Sequence, residues 1–211
     1  MPHPFKSMWQ ENWHRKESLY WVTRWFARAT LVPFFRMKKE GLSHQPDHGA
    51  FILLPKHQRW EDIPLLGITS PRPLYYVAKH ELFINPLIRW FLRGLGGIPI
   101  NRARPLESRD SLRAIMGHLR GGEGVALFPE GTYVKGEVGP ARVGLVRMIS
   151  SRLAVPFIPV GFNYRRTTIN ISVTIRFGKP FYKDRFPSTE EFVQRVMKEI
   201  ASLSDFKTVS P

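Results

Sequence analysis

Ala50-Phe51-Ile52-Leu53-Leu54-Pro55, followed at once by Lys56-His57-Gln58-Arg59-Trp60-Glu61-Asp62, is the passage on which the reading of this 211-residue chain turns. An unbroken apolar run leaves no polar face, so a strand formed here is buried on both sides. Strands of that kind belong to parallel sheets covered by helices on both faces. Leu74 to Ala78 repeats the pattern, as do Gly124 to Pro129 and Val155 to Gly161. Ile169 to Phe177 alternates enough to read as a strand near a sheet edge. Between these runs, Ile84 to Leu95, Ser108 to Arg120 and Ala141 to Leu153 have helical periodicity. Ser188-Thr189-Glu190-Glu191 has the spacing of a capping box and opens a last amphipathic helix to Leu203. The predicted fold is α/β, a mostly parallel central sheet with helices on both faces.

In open sheets of this class, ligands collect at the carboxyl ends of the strands. Three predicted strands end in polar clusters: Lys56-His57, Asn101-Arg102 after Gly96-Gly97-Ile98-Pro99-Ile100, and Glu130-Gly131-Thr132. These clusters are expected to meet at one end of the sheet. A strand ending at Pro55 and a helix starting around Trp60 put His57 in the turn and Asp62 in the first helical turns. A carboxylate there can accept the N–H of His57 and fix its tautomer, so that the other ring nitrogen faces substrate. Such an imidazole can take the proton from an alcohol as it attacks a carbonyl. His80 and His118 read as ordinary loop and helix histidines, and no metal-ligand set is visible.

Four motifs stand in order: His-x4-Asp at 57–62, Gly-Gly-Ile-Pro-Ile-Asn-Arg at 96–102, Phe-Pro-Glu-Gly-Thr at 128–132 and Val-Pro-Phe-Ile-Pro-Val at 155–160. In this order they closely resemble the glycerolipid acyltransferase family, typified by lysophosphatidic acid acyltransferase, over roughly Gly41 to Lys179. The resemblance implies transfer of a fatty acyl chain from acyl-CoA or acyl carrier protein to a lysophospholipid hydroxyl. The first expectation for the acceptor is 1-acylglycerol-3-phosphate; another lysolipid is the alternative, and a basic nucleic-acid-binding or non-catalytic lipid-binding protein is the alternative from another class. By the same resemblance His57 is the general base and Asp62 its orienter. Arg102 binds acceptor phosphate, Glu130, Gly131 and Thr132 help form the acceptor pocket, and Pro159 lies on the acyl-chain side. No cofactor or metal is implied, because the thioester is already activated. Two positions depart from the family pattern. Arg59 and Trp60 stand where a small hydroxyl residue is common, and Tyr133 stands where the third motif usually continues with Arg.

The bulk composition fits a surface enzyme. Thirty-two Lys and Arg against 17 Asp and Glu give a net charge of +15, which implies an anionic partner. The basic residues are spread along the chain and no reader motif for nucleic acid is present, so an anionic membrane surface is the expected partner and nucleic acid is not. Cysteine is absent, which excludes disulfides and a thiol nucleophile. Residues 1–40 read as an amino-terminal segment and 41–211 as the acyltransferase domain. Met1 to Arg15 does not look like a cleavable signal peptide. Leu19 to Phe35 is apolar but carries Arg24 and Arg28, which suits an amphipathic helix lying in the membrane interface and not one crossing it. Packing of that helix on its own domain through Trp21 and Trp25 is the alternative. The expected location is peripheral or monotopic, on the cytoplasmic face of a bacterial inner membrane.

Overall fold

The computed structural model describes residues 13–101 and 108–206. The chain folds as α1 (Glu17–Leu31), β1 (Phe35–Glu40), β2 (Phe51–Pro55), α2 (Asp62–Thr69), β3 (Leu74–Lys79), α3 (Pro86–Gly94), β4 (Gly97–Ile100), α4 (Arg109–Arg120), β5 (Gly124–Ala126), α5 (Val143–Ser150), β6 (Phe157–Arg166), β7 (Ile171–Phe177) and α6 (Thr189–Leu203). The seven strands form one sheet in the order β1-β7-β6-β2-β5-β3-β4. β2 pairs in parallel with β5 and β6, and β3 in parallel with β4 and β5. β7 runs antiparallel to β6, and β1 follows β7 in parallel. The expected mostly parallel α/β sheet is therefore present.

Alternation along β2 explains why its sequence shows no polar face. Ile52 and Leu54 enter a core shared with Ile115 and Leu119 of α4, Val146 and Ile149 of α5 and Phe192 and Ile200 of α6. Phe51 and Leu53 enter a second core with Leu65 and Leu66 of α2, with Ala27 and Leu31 of α1 packed against it. Helix boundaries follow local chemistry. Asn85 caps α3 by accepting from the N–H groups of Leu87 and Ile88, with Pro86 in the first turn. Ser188 accepts from the Glu191 N–H at the start of α6, as its spacing predicts.

Several boundaries differ from the sequence reading. α2 begins at Asp62 and leaves Trp60 outside, 62% exposed. β5 stops at Ala126, so Leu127 and Phe128 already belong to the loop. β6 continues through Arg166, past the expected end at Gly161. Phe35–Glu40, which the sequence reading left in the amino-terminal segment, supplies the edge strand β1 beside β7. Among the described residues, no helix is long and apolar enough to cross a membrane.

Close packing of β6 against α6 has a testable consequence at Gly161. A Cβ there would overlap the backbone carbonyl of Leu203, which cannot move aside as a flexible side chain would. Gly161→Val is expected to destabilise the protein by about 1–3 kcal/mol. Denaturant unfolding measures this, and an unchanged midpoint would contradict the packing described.

Candidate active site

β2 is the central strand, and its carboxyl end delivers Lys56 and His57 into a turn roofed by the loop after β5. Asp62, wholly buried, organises that turn. Its Oδ2 accepts the N–H groups of Gln58 and Arg59, each at 2.7 Å, and lies 3.3 Å from His57 Nδ1. Its Oδ1 accepts the Tyr164 hydroxyl at 2.6 Å. With Nδ1 facing Asp62, Nε2 is the nitrogen left for substrate.

His57 is 9% exposed, and its imidazole lies between two aromatic rings, Phe128 at 4.1 Å and Tyr133 at 4.2 Å between centroids. The loop carrying both rings is fastened to the same turn. Val134 N–H donates to the His57 carbonyl at 2.9 Å, and Glu130 Oε2 accepts the His57 N–H at 3.1 Å. Glu130 also accepts from Lys56 Nζ through both oxygens, at 2.9 and 2.8 Å, and from Gly139 N–H at 2.8 Å. Burial pushes the Lys56 ammonium below its usual pKa, and the Glu130 carboxylate opposes that shift.

Two cavities reach the aromatic rings that pack on His57, one at each ring. One, of about 300 Å³, lies among the ends of β4 and β5, α4 and α5, with Asn101, Ser108, Phe128, Pro129 and Arg142 in its wall. The other is a strongly apolar groove of about 440 Å³ between α1, α2 and α3, lined by Trp60, Ile63, Phe83, Phe91 and Tyr133 among others. Phe128 therefore borders the first cavity and Tyr133 the second. Among the described residues no group of three His, Asp or Glu side chains could hold a metal ion.

The residues expected at the site do not all arrive there in the same way. His57 and Asp62 are in contact, and Glu130 joins them through the His57 backbone. Gly131 is buried and holds φ +70°, a left-handed conformation that suits glycine at this tight turn, where its N–H donates to the Phe128 carbonyl. Thr132 is exposed beyond that turn. Pro159 is a sheet residue level with Leu54; its carbonyl accepts the Gly178 N–H, and it lies buried within β6. Arg102 lies outside the described residues. Tyr164, absent from the sequence reading, is the buried partner of Asp62. Its signal was the continuation of the alternation Ile158, Val160, Phe162, Tyr164 beyond Gly161. His118 is held by the Trp13 carbonyl at 2.9 Å and stacks on Tyr75, in keeping with an ordinary histidine.

Comparison with known proteins gives the family of the chain. Residues 36–163, from β1 into β6, match the acyltransferase family. The chain belongs to that family. It is similar to a chloroplastic 1-acyl-sn-glycerol-3-phosphate acyltransferase of Brassica napus, 27% identical over 160 residues that cover 75% of this chain and 45% of that protein. With the 1-acyl-sn-glycerol-3-phosphate acyltransferase of Bacillus subtilis it shares 32% identity over 118 residues, 56% of this chain and 57% of the other. A lyso-ornithine lipid O-acyltransferase of Pseudomonas aeruginosa is 31% identical over 147 residues, 69% of this chain and 54% of that one. This acyltransferase-family chain thus spans about half the length of the relatives it matches. The crystal structure of the 1-acyl-sn-glycerophosphate acyltransferase from Thermotoga maritima shares its fold, with a TM-score of 0.70 at 23% identity, covering 90% of this chain and 80% of that one.

Tyr164 offers a test of the site's internal order. Burial, and next the charge of Asp62, raise its hydroxyl pKa well above the ordinary tyrosine value. The folded protein therefore keeps a proton that the unfolded chain releases above about pH 10. The stabilisation is complete below that pH and declines as pH rises through it. Tyr164→Phe is expected to lose about 1.5–3 kcal/mol at neutral pH and to show a shallower loss of stability above about pH 10. Unfolding curves that match wild type at both pH values would remove Tyr164 from this role.

Proposed function

We propose that this protein transfers a fatty acyl chain from an acyl thioester, acyl-CoA or acyl carrier protein, to the free hydroxyl of a lysolipid, 1-acylglycerol-3-phosphate first, giving phosphatidic acid. The observation that carries the reading is the His57–Asp62 contact, with the imidazole packed between Phe128 and Tyr133. His57 Nε2 takes the hydroxyl proton as the acceptor oxygen attacks the thioester carbonyl. The tetrahedral intermediate then collapses, the carbon–sulfur bond breaks, and the imidazolium returns its proton to the departing thiolate. Asp62 favours the imidazolium during the step and holds the tautomer between steps.

The two cavities suit two kinds of substrate part. The apolar groove on the Tyr133 side fits an acyl chain, and the more polar cavity on the Phe128 side fits a headgroup. Arg142 is the cation among that cavity's lining residues, and the family motif offers Arg102, outside the described residues, as a phosphate ligand. Tyr133 in place of the usual Arg supports a second acceptor, a lysolipid without a phosphate monoester. The lyso-ornithine lipid enzyme among the relatives points the same way.

Membrane docking by α1 belongs to the same proposal. Trp21, Val22, Trp25 and Phe26 of α1 and Leu87, Ile88 and Trp90 of α3 are exposed large apolar side chains on the two helices that border the groove. Lys16 Nζ lies 5.0 Å from the Trp90 ring and its backbone N–H donates to the Gly94 carbonyl, which ties the start of α1 to α3. An apolar, Trp-rich surface with cations beside it is suited to the headgroup layer of an anionic membrane, at the cytoplasmic face of a bacterial inner membrane.

The test is purified protein with one labelled acyl thioester and a panel of lysolipids that includes 1-acylglycerol-3-phosphate and lyso-ornithine lipid, with products identified by mass. His57→Ala and Asp62→Asn are each expected to lower transfer by about 10²- to 10⁴-fold with the fold retained. Near-wild-type turnover by His57→Ala would sink the mechanism, and transfer to lyso-ornithine lipid alone would replace the acceptor. For the docking surface, Trp21→Ala/Trp25→Ala should weaken flotation with anionic vesicles by about tenfold or more. Undiminished flotation would move the membrane contact elsewhere on the protein.

A further inference from the structure

Lys56 is 0% exposed, and its ammonium makes every contact inside the protein. Besides the two oxygens of Glu130, Nζ donates to the Val134 carbonyl at 2.6 Å and to the His57 carbonyl at 3.3 Å. A buried charge is tolerated only when it is paired and its donors are satisfied. Here the pairing also decides geometry. Lys56 and Glu130 tie the end of β2 to both ends of the loop that supplies Phe128 and Tyr133, the two rings against the imidazole. The carboxylate of Glu130 is thereby occupied with internal donors and faces the back of His57.

We propose that Lys56 and Glu130 act together as an electrically neutral clamp that positions His57 between its aromatic walls and adds no net charge of its own beside the ring. Lys56 is a positioning residue in this scheme, and Glu130 acts as its counterion instead of as a ligand for the acceptor. The inference rests on the proposed acyl transfer only for its kinetic readout. The other groups facing the turn are already balanced or shared. Asp62 meets Nδ1 and is bound by Tyr164, Arg59 is paired with Glu61 at 2.7 Å, and Tyr133 is a neutral phenol whose pKa is raised by burial, then by Asp62 and Glu61. Glu137 adds a further negative field at Lys56. Removing one member of the clamp therefore leaves an unbalanced charge beside His57, and the sign depends on which member is removed.

Lys56→Met leaves the Glu130 carboxylate, which favours the imidazolium, so the acid limb of the rate profile should move to higher pH. Glu130→Gln leaves the Lys56 ammonium, which disfavours the imidazolium, so the same limb should move to lower pH. Each shift is expected at about one pH unit. The double variant Lys56→Met/Glu130→Gln carries no net change of charge and should return the limb to its wild-type position. Its kcat should stay depressed at least tenfold, because only the Val134 N–H to His57 carbonyl bond still fastens the loop, while the KM for the acceptor changes little. The same titration is followed without turnover through the imidazole C–H resonance of His57, assigned by its loss in His57→Ala. Thermal unfolding of each variant checks folding, and where one single variant does not fold, the other and the double variant still give the signs. Single variants that leave the resonance unmoved, or move it in one common direction, would overturn the clamp. A large rise in acceptor KM for Glu130→Gln with no pH shift would overturn it too, and would return Glu130 to the acceptor pocket. If the wild type transfers no acyl group to any lysolipid, the functional proposal fails while the resonance titration still decides the clamp.

Discussion

A strand with no solvent face has nowhere to put a polar side chain until it ends. β2 is covered by α4, α5 and α6 on one side and by α1 and α2 on the other, so its polar residues crowd into the few positions after Pro55. There they remain buried: Lys56, His57, Gln58, Glu61 and Asp62 are each under a tenth exposed. Burial without water forces each polar group to find a protein partner. Lys56 finds Glu130, Gln58 reaches the Phe162 carbonyl, and Asp62 collects two backbone N–H groups and a phenol. The site is the place where the sheet's hydrophobic continuity breaks, and its rigidity comes from the cost of leaving any of these groups unpaired.

How much of this was legible in the sequence follows from the range of each interaction. The His57–Asp62 contact spans five residues, and a strand-turn-helix reading was enough to place it. The same holds for the Ser188 cap of α6, which is a matter of three residues. By contrast, Lys56 to Glu130 is separated by 74 residues and Asp62 to Tyr164 by 102. No local periodicity reports such pairs, so Lys56 passed as one polar residue of a cluster and Tyr164 passed unnoticed. The edge strand β1 was hidden for a different reason. Its sequence Phe35-Arg-Met-Lys-Lys-Glu40 has only two apolar side chains because one edge and one face meet solvent, so it stayed within the amino-terminal segment of the sequence reading.

The electrostatic organisation has two scales. Inside, Lys56 is paired with Glu130 and Arg59 with Glu61, while Asp62 is held by two backbone N–H groups and a phenol. Outside, the excess of 15 positive charges is unmatched. The division fits a protein whose interior must hold one imidazole in a fixed field while its surface works near anions, since exposed charges are screened over about 10 Å and buried ones are not.

The two edges of the sheet differ from its centre in a way that bears on life at a crowded surface. An unpaired edge offers a row of N–H and C=O groups to any second strand that arrives. β1 answers with Arg36, Lys38 and Lys39 packed into six residues, and β4 with only four residues and a proline, Pro99, that cannot donate. The membrane docking proposed above would raise encounter rates between copies, and edges of this kind repel or fail to register with their own images. Charge at one edge and a short, proline-bearing strand at the other thus oppose edge-to-edge zipping of sheets into fibrils.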